Sequence, residues 1–152
     1  MPAGRPTGHV NIPAQVERIA VGQALQPVWE NELGGVTFAV AGANPRFVKW
    51  APAETTLNLT AEAARLRWAV PFTSVPEVLG EGADERGAWL VTAALPGEHA
   101  VSETWQRDPG AAVRGIGRGL RALHEAVGRQ YSVQFKLFAR RHGEAHSQRI
   151  AS

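Results

Sequence analysis

The chain has 152 residues, a net charge of +2 and 44% hydrophobic residues, a composition that indicates a globular domain and excludes disordered and fibrous classes. It contains no cysteine, which excludes disulfides and thiolate metal sites and favours a reducing, cytoplasmic setting. No apolar run approaches the roughly 20 residues that span a bilayer, so we expect no membrane partner.

The first part of the chain predicts a short helix followed by antiparallel strands. Residues 1–24 are interpreted as an N-terminal extension, in which a short helix runs from Pro13 to Ala20. Alternating apolar residues and Gly- and Pro-rich turns then predict three strands. They are Val28–Asn31, Val36–Val40 and Arg46–Trp50. Because the turns between them are short, these strands are expected to form an antiparallel meander.

The next elements complete an α+β unit. Apolar residues recur at spacings of four, three and four from Leu59 to Val70, which predicts a helix with Asn58 as its N-cap. Two further strands, Glu77–Leu79 and Ala88–Ala94, are predicted as a hairpin. Residues 25–97 are therefore expected to form an antiparallel sheet of about five strands with one packed helix.

The rest of the chain is predicted to form helices and then to change in composition to a basic segment without an apolar stripe. Residues 98–128 contain an apolar stripe that predicts a helix from Pro109 to about Val127, with Asp108 as N-cap. Residues 129–152 carry five basic residues against one acid, and we predict an irregular basic tail. Only this tail supports a nucleic-acid-binding module, and it contains no known motif, so no nucleic-acid partner is expected.

Several motifs follow one another in an order that is similar to a known family. They are Trp29 to Phe38, Phe47-Val48-Lys49-Trp50, Glu62 to Leu66, Val75 to Val78, Trp89 to Thr92, Leu95-Pro96-Gly97 and Leu120 to His124. No single motif is diagnostic. In this order, the chain resembles the N-terminal lobe of the aminoglycoside O-phosphotransferases, which are relatives of the protein kinases. The resemblance covers roughly residues 25–127 and implies a protein-kinase-like lobe that binds ATP or GTP.

Lys49 and Glu62 are the strongest site candidates. The resemblance implies that the Lys49 ammonium lies against the phosphates of a nucleotide, and that Glu62 on the following helix holds it in place. On spacing alone, a surface lysine of an edge strand is the favoured interpretation of Lys49, and it is the order of the surrounding motifs that favours the nucleotide role. Glu62 also suits the N-terminal turn of a helix, where the helix dipole stabilises an acid, and this role does not exclude the ion pair.

The remaining site residues are implied by the resemblance. Gly34 and Gly35 would form a loop over the phosphates, although two glycines are also an ordinary hairpin turn. Phe47 would lie against the base. The backbone of Ala93 and Leu95 would hydrogen-bond the base edge, with Thr92 behind it; the alternative is that these residues only form a buried strand. His124 is assigned no catalytic role.

The residues that perform the family's chemistry are missing from these 152 residues. The resemblance implies a His-Gly-Asp motif, an Asn five residues after that Asp, and a later Asp. Here the last aspartate is Asp108 and the last asparagine is Asn58, while His142-Gly143 is followed by Glu144. We therefore assign no catalytic or metal-binding residue, and magnesium is expected only with a complete C-terminal lobe.

Two functions follow as expectations. The first is ATP- or GTP-dependent phosphoryl transfer to a hydroxyl of an aminoglycoside antibiotic, which confers resistance, in a chain truncated or frameshifted before the catalytic loop. The alternative is a non-catalytic nucleotide-binding lobe or inactive fragment. A shifted reading frame in the DNA that encodes His-Gly-Asp would support the frameshift.

Overall fold

The computed structural model describes residues 3–98 and 102–147, with side chains as far as residue 130. The chain divides into two compact units, one ending at Pro96 and the other beginning at Gly97. The helices are α1 (Ala14–Ala20), α2 (Leu59–Ala69), α3 (Glu103–Arg107) and α4 (Pro109–Ser147). The strands are β1 (Leu25–Glu30), β2 (Val36–Val40), β3 (Arg46–Pro52), β4 (Val78–Asp84) and β5 (Gly87–Ala93).

The first unit is built on a single antiparallel sheet with the strand order β1-β2-β3-β5-β4. Strands β1, β2 and β3 pair in sequence, which confirms the predicted meander. Strand β5 then pairs with β3 on one side and with β4 on the other. The predicted α+β fold with a five-stranded antiparallel sheet is therefore confirmed.

The two faces of the sheet are covered by different helices. On one face Phe38 and Val48 pack against Val16 and Ala20 of α1, and all four side chains are almost fully buried. On the other face Leu90 packs with Ala63 of α2. Besides the one predicted packed helix, α2, the sheet is thus also covered by α1, which the sequence had placed in an extension.

Helix α2 begins where the sequence predicts and ends slightly earlier. The Oδ1 atom of Asn58 accepts a hydrogen bond from the Ala61 amide at 2.8 Å, which confirms Asn58 as the N-cap. Leu59 and Ala63 are buried as predicted. Val70 is not part of the buried stripe, because the helix ends at Ala69 and Val70 is 62% exposed.

We expect the substitution Asn58→Ala to lower the free energy of unfolding by about 1 kcal/mol, because the Ala61 amide loses its acceptor at the helix N-terminus. Urea denaturation followed by circular dichroism measures this loss. Asn58→Ser is the matched control, since a serine hydroxyl can also cap the helix and is expected to keep most of the stability. Equal losses for both variants would show that the cap is not the cause.

In the second unit, α4 begins as predicted but continues far beyond Val127. The Asp108 side chain accepts a hydrogen bond from the Ala111 amide at 2.9 Å, as expected of an N-cap. The tail predicted to be irregular is instead helical as far as Ser147, and residues 148–152 lie outside the described residues. No proline interrupts this segment, and most of its residues tolerate a helix well, which accounts for the difference.

No helix within residues 3–98 and 102–147 is long and apolar enough to cross a membrane.

Candidate functional site

One face of the sheet brings Lys49 into line with residues of the neighbouring strands. Lys49 of β3 lies opposite Thr37 of β2, and Thr37 lies opposite Trp29 of β1. Residues directly opposite each other in an antiparallel pair project from the same face. Trp29, Thr37 and Lys49 therefore form a row across three strands.

Trp29 reaches this row because of a bulge in β1. Pro27 lies opposite Phe38 and Trp29 lies opposite Thr37, so Val28 is an extra residue without a partner of its own in the register. In a regular strand Trp29 would project from the same face as Pro27. The extra residue turns it to the opposite face, which carries Lys49.

Lys49 and Glu62 form an ion pair between β3 and the first turn of α2, through Nζ and Oε1. The contact that the sequence predicts is therefore present. Their side chains are 40% and 35% exposed, so the pair remains accessible to solvent and to a ligand. An ion pair of this exposure contributes little to stability, typically under about 1 kcal/mol. Its main effect is to fix the position of the Lys49 ammonium.

An open cleft of about 280 Å³ lies beside this ion pair. Lys49 and Glu62 form part of its wall, together with Trp29, Asn31 and Gly35. The cleft thus combines a cation, a carboxylate already bound to that cation, an aromatic ring and a tight turn. Such a combination suits an anionic ligand that also carries a flat apolar group.

The predicted glycine loop is a compact turn between β1 and β2. Asn31 organises it, since its carbonyl accepts from the Gly34 amide at 3.0 Å and its Oδ1 accepts from the Leu33 amide at 2.6 Å. Gly34 has a φ of +86°, which favours glycine. A Cβ on Gly35 would overlap the Leu57 side chain. Two of the loop's amides are thus engaged within the turn, and an anion would need the turn to open to reach them.

Two of the residues predicted to hold a base, Phe47 and Thr92, lie on the same sheet face as Lys49, one cross-strand row away. Phe47 lies opposite Thr92, and Thr92 is only 8% exposed. The Ala93 amide donates to the Glu77 carbonyl at 2.9 Å, whereas Leu95 is 45% exposed. Of the predicted site residues, the structure brings Gly35, Lys49 and Glu62 together in the cleft; the others lie outside its wall.

Sequence reasoning missed the roles of Trp29, Thr37 and Asn31 in the cleft wall. Asn31 carries a usable signal, because asparagine ahead of a glycine pair commonly organises a turn. The orientation of Trp29 carries none, because the bulge that turns it has no signature in the alternation of apolar residues.

The described residues do not fit a magnesium site. Among the residues whose side chains the structure describes, 3–98 and 102–130, no group of three His, Asp or Glu side chains is placed to hold a metal ion. The carboxylate of the cleft, Glu62, is already paired with Lys49. Magnesium prefers several oxygen ligands, and the cleft does not supply them.

Comparisons with known proteins show which family this chain is similar to. A sequence model of the phosphotransferase enzyme family matches residues 26–149, a range that includes most of the segment predicted to lie outside the resemblance. An aminoglycoside 3'-phosphotransferase of Streptomyces ribosidificus is 40% identical over 102 residues, which are 63% of this chain and 38% of that protein.

A protein of the same name from Streptomyces fradiae is 40% identical over 79 residues, which are 49% of this chain and 28% of that protein. The chain therefore spans less than half the length of each of these relatives. The family match covers well over half of the chain, and it agrees with the antiparallel sheet and the ion pair at the cleft. On these grounds, the chain belongs to the phosphotransferase enzyme family.

Proposed function

We propose that the first unit is the nucleotide-binding lobe of an aminoglycoside phosphotransferase-like protein. The observation that carries this proposal is the Lys49–Glu62 ion pair at the wall of an open cleft. ATP or GTP is the proposed ligand, because a triphosphate supplies the anion and a nucleoside supplies the flat apolar group. A ligand of this kind also favours the cytoplasm, where both nucleotides are abundant.

Lys49 is proposed to bind the phosphates directly. A lysine ammonium is a compact positive charge with three donors, and hydrogen bonds between charged partners are the stronger ones in proteins. Glu62 restrains the long Lys49 side chain before the ligand arrives, so less conformational entropy is lost on binding. The proposed task of Glu62 is thus to position Lys49, while Lys49 contacts the ligand.

The proposed acceptor of the phosphoryl group is a hydroxyl of an aminoglycoside antibiotic. Resistance to that antibiotic would be the consequence. The support comes from the names of the two Streptomyces relatives. Residues 1–152 themselves contain no aspartate after Asp108 and no asparagine after Asn58. They therefore lack the base and the metal ligands that the resemblance to the aminoglycoside phosphotransferases implies for phosphoryl transfer. This absence favours a second candidate for these residues, a nucleotide-binding lobe without catalysis.

We expect residues 1–152 to bind ATP without transferring its phosphate to kanamycin. Isothermal titration calorimetry measures the binding, and release of ADP in a coupled assay measures the transfer. Phosphorylated kanamycin in the mass spectrum would contradict the assignment of a lobe without catalysis. Absence of heat with both ATP and GTP, from a sample that unfolds cooperatively, would contradict the nucleotide site itself.

A further inference from the structure

Trp29 is an exposed tryptophan in the wall of the cleft. It is 41% exposed, whereas Trp50 is 7% exposed and stacks on Trp89, with ring centroids 6.5 Å apart. Trp68 is 49% exposed, but it lies on α2 against Phe72 and is not part of the cleft wall. Among these tryptophans, Trp29 thus combines a large accessible surface with a position in the cleft.

The bulge at Val28 is the reason for this position, as described above, and it has a cost. An extra residue interrupts the ladder of hydrogen bonds, and the tryptophan leaves its apolar ring partly in water. The opposite face of the sheet offers the core that holds Phe38 and Trp50. A strand that turns an aromatic ring away from such a core and into a cleft is best explained by a ligand that the ring contacts.

The distance between Trp29 and Lys49 defines the shape of that ligand. The two residues are separated by one strand, β2, so their backbones lie two strand spacings apart, or roughly 10 Å. A cation at one end and an aromatic ring at the other match a molecule with phosphates at one end and a flat ring system at the other. Tryptophan contributes a large apolar surface with little loss of side-chain entropy.

We propose that Trp29 provides the aromatic surface for the nucleoside part of the bound nucleotide, while Lys49 holds its phosphates. The proposal rests on the proposed function and adds to it a residue that contacts the nucleoside. Phe47 lies two residues from Lys49 on the same face but outside the cleft wall, so the proposal rests on Trp29 and not on Phe47. Base stacking on an aromatic side chain tolerates every base, so Trp29 is expected to support ATP and GTP alike.

The test compares two ligands, ATP and inorganic tripolyphosphate, by titration calorimetry on the full chain. Tripolyphosphate carries the anion without the nucleoside. Trp29→Ala is expected to weaken ATP binding about tenfold and to leave tripolyphosphate binding unchanged. Trp29→Phe is expected to stay within about threefold of the original affinity for ATP, because it keeps an aromatic ring. Trp68→Ala is the matched control and is expected to bind ATP as the unaltered chain does.

The outcomes separate this proposal from the proposed function. If the unaltered chain binds neither ligand, both fail. If the unaltered chain binds ATP and Trp29→Ala binds ATP equally or more tightly, the Trp29 ring either does not contribute to binding or obstructs the cleft. In that case only the role of Trp29 is overturned. If Trp29→Ala weakens the binding of ATP and of tripolyphosphate equally, the effect arises at the phosphates, and the proposed role of Trp29 is overturned as well.

A second measurement decides the matter if Trp29→Ala does not fold. ATP is expected to change the tryptophan emission of the unaltered chain and of Trp68→Phe, because the environment of Trp29 changes. The same titration of Trp29→Phe is expected to show a much smaller change, since Trp50 also lines the cleft but is only 7% exposed. A change of undiminished size in Trp29→Phe would overturn the proposed contact.

Discussion

Replacing Lys49 with alanine is expected to weaken ATP binding about 10- to 100-fold, the range that follows from losing a hydrogen-bonded charge pair with phosphate. The fold should survive, because the ion pair with Glu62 is partly exposed and contributes under about 1 kcal/mol. Titration calorimetry with ATP measures the affinity, and urea denaturation of the same samples measures the stability.

The sheet offers a matched control for this experiment. Arg67 of α2 and Glu81 of β4 also form an ion pair between the helix and a strand, with side chains 53% and 24% exposed, and neither residue lines the cleft. Arg67→Ala is expected to leave ATP affinity unchanged. Glu62→Gln should fall between the two, since Lys49 remains but is less restrained. Similar losses of affinity for Lys49→Ala and Arg67→Ala would contradict a specific role for Lys49.

Phe38→Ala is expected to lower the free energy of unfolding by about 3–5 kcal/mol, the usual cost of removing a buried phenylalanine ring. Phe38 is completely buried in β2 and packs with Val16, Val48 and Trp50 between the sheet and α1. Domains of this size are stable by only about 5–15 kcal/mol, so the change removes a large part of the total. Urea denaturation monitored by tryptophan emission reports this region, because the stacked Trp50 and Trp89 lie close to Phe38.

Leu79→Ala supplies the comparison. Leu79 lies on the edge strand β4 and is 51% exposed, so its truncation is expected to change the free energy of unfolding by less than about 0.5 kcal/mol. A change of under 1 kcal/mol for Phe38→Ala would mean that α1 and the sheet do not share a packed core.

The elements of the first unit could be predicted from sequence because each has a strong local signal. Short turns with Gly34 and Pro45 separate the strands, and Asn58 marks the beginning of α2 with its own hydrogen bond. The contact between Lys49 and Glu62 followed from a lysine on one strand, a glutamate early in the next helix, and the order of motifs around them. These features depend either on residues that are close in sequence or on the order of motifs along the chain, and both can be read from the sequence.

The orientation of Trp29 and the packing of α1 could not be predicted in the same way. The bulge at Val28 changes which face Trp29 occupies, yet it leaves the sequence of apolar residues unchanged. Helix α1 carries only Val16, Ile19 and Ala20 as a weak stripe, and nothing local indicates which surface buries it. The length of α4 was missed for a related reason, since residues after Val127 lack an amphipathic pattern although they permit a helix.

The connection between β3 and β5 has a consequence for the order in which the first unit assembles. Strands β1, β2 and β3 form through short turns, as does the β4–β5 hairpin, whereas β3 and β5 meet only after the chain between Pro52 and Gly87 has closed. Closing such a loop costs more entropy than closing a turn, so we expect it to come last.

Helix α2 lies within that loop and holds Glu62 for β3 and Arg67 for β4. The restrained Lys49 ammonium therefore exists only once both halves of the sheet have joined. A chain stalled before that step would contain the paired β1–β2–β3 meander but would lack the restrained Lys49 that the proposed nucleotide site requires. If the first unit binds a nucleotide as proposed, nucleotide present during synthesis would bind and stabilise only the molecules in which β3 and β5 have already paired.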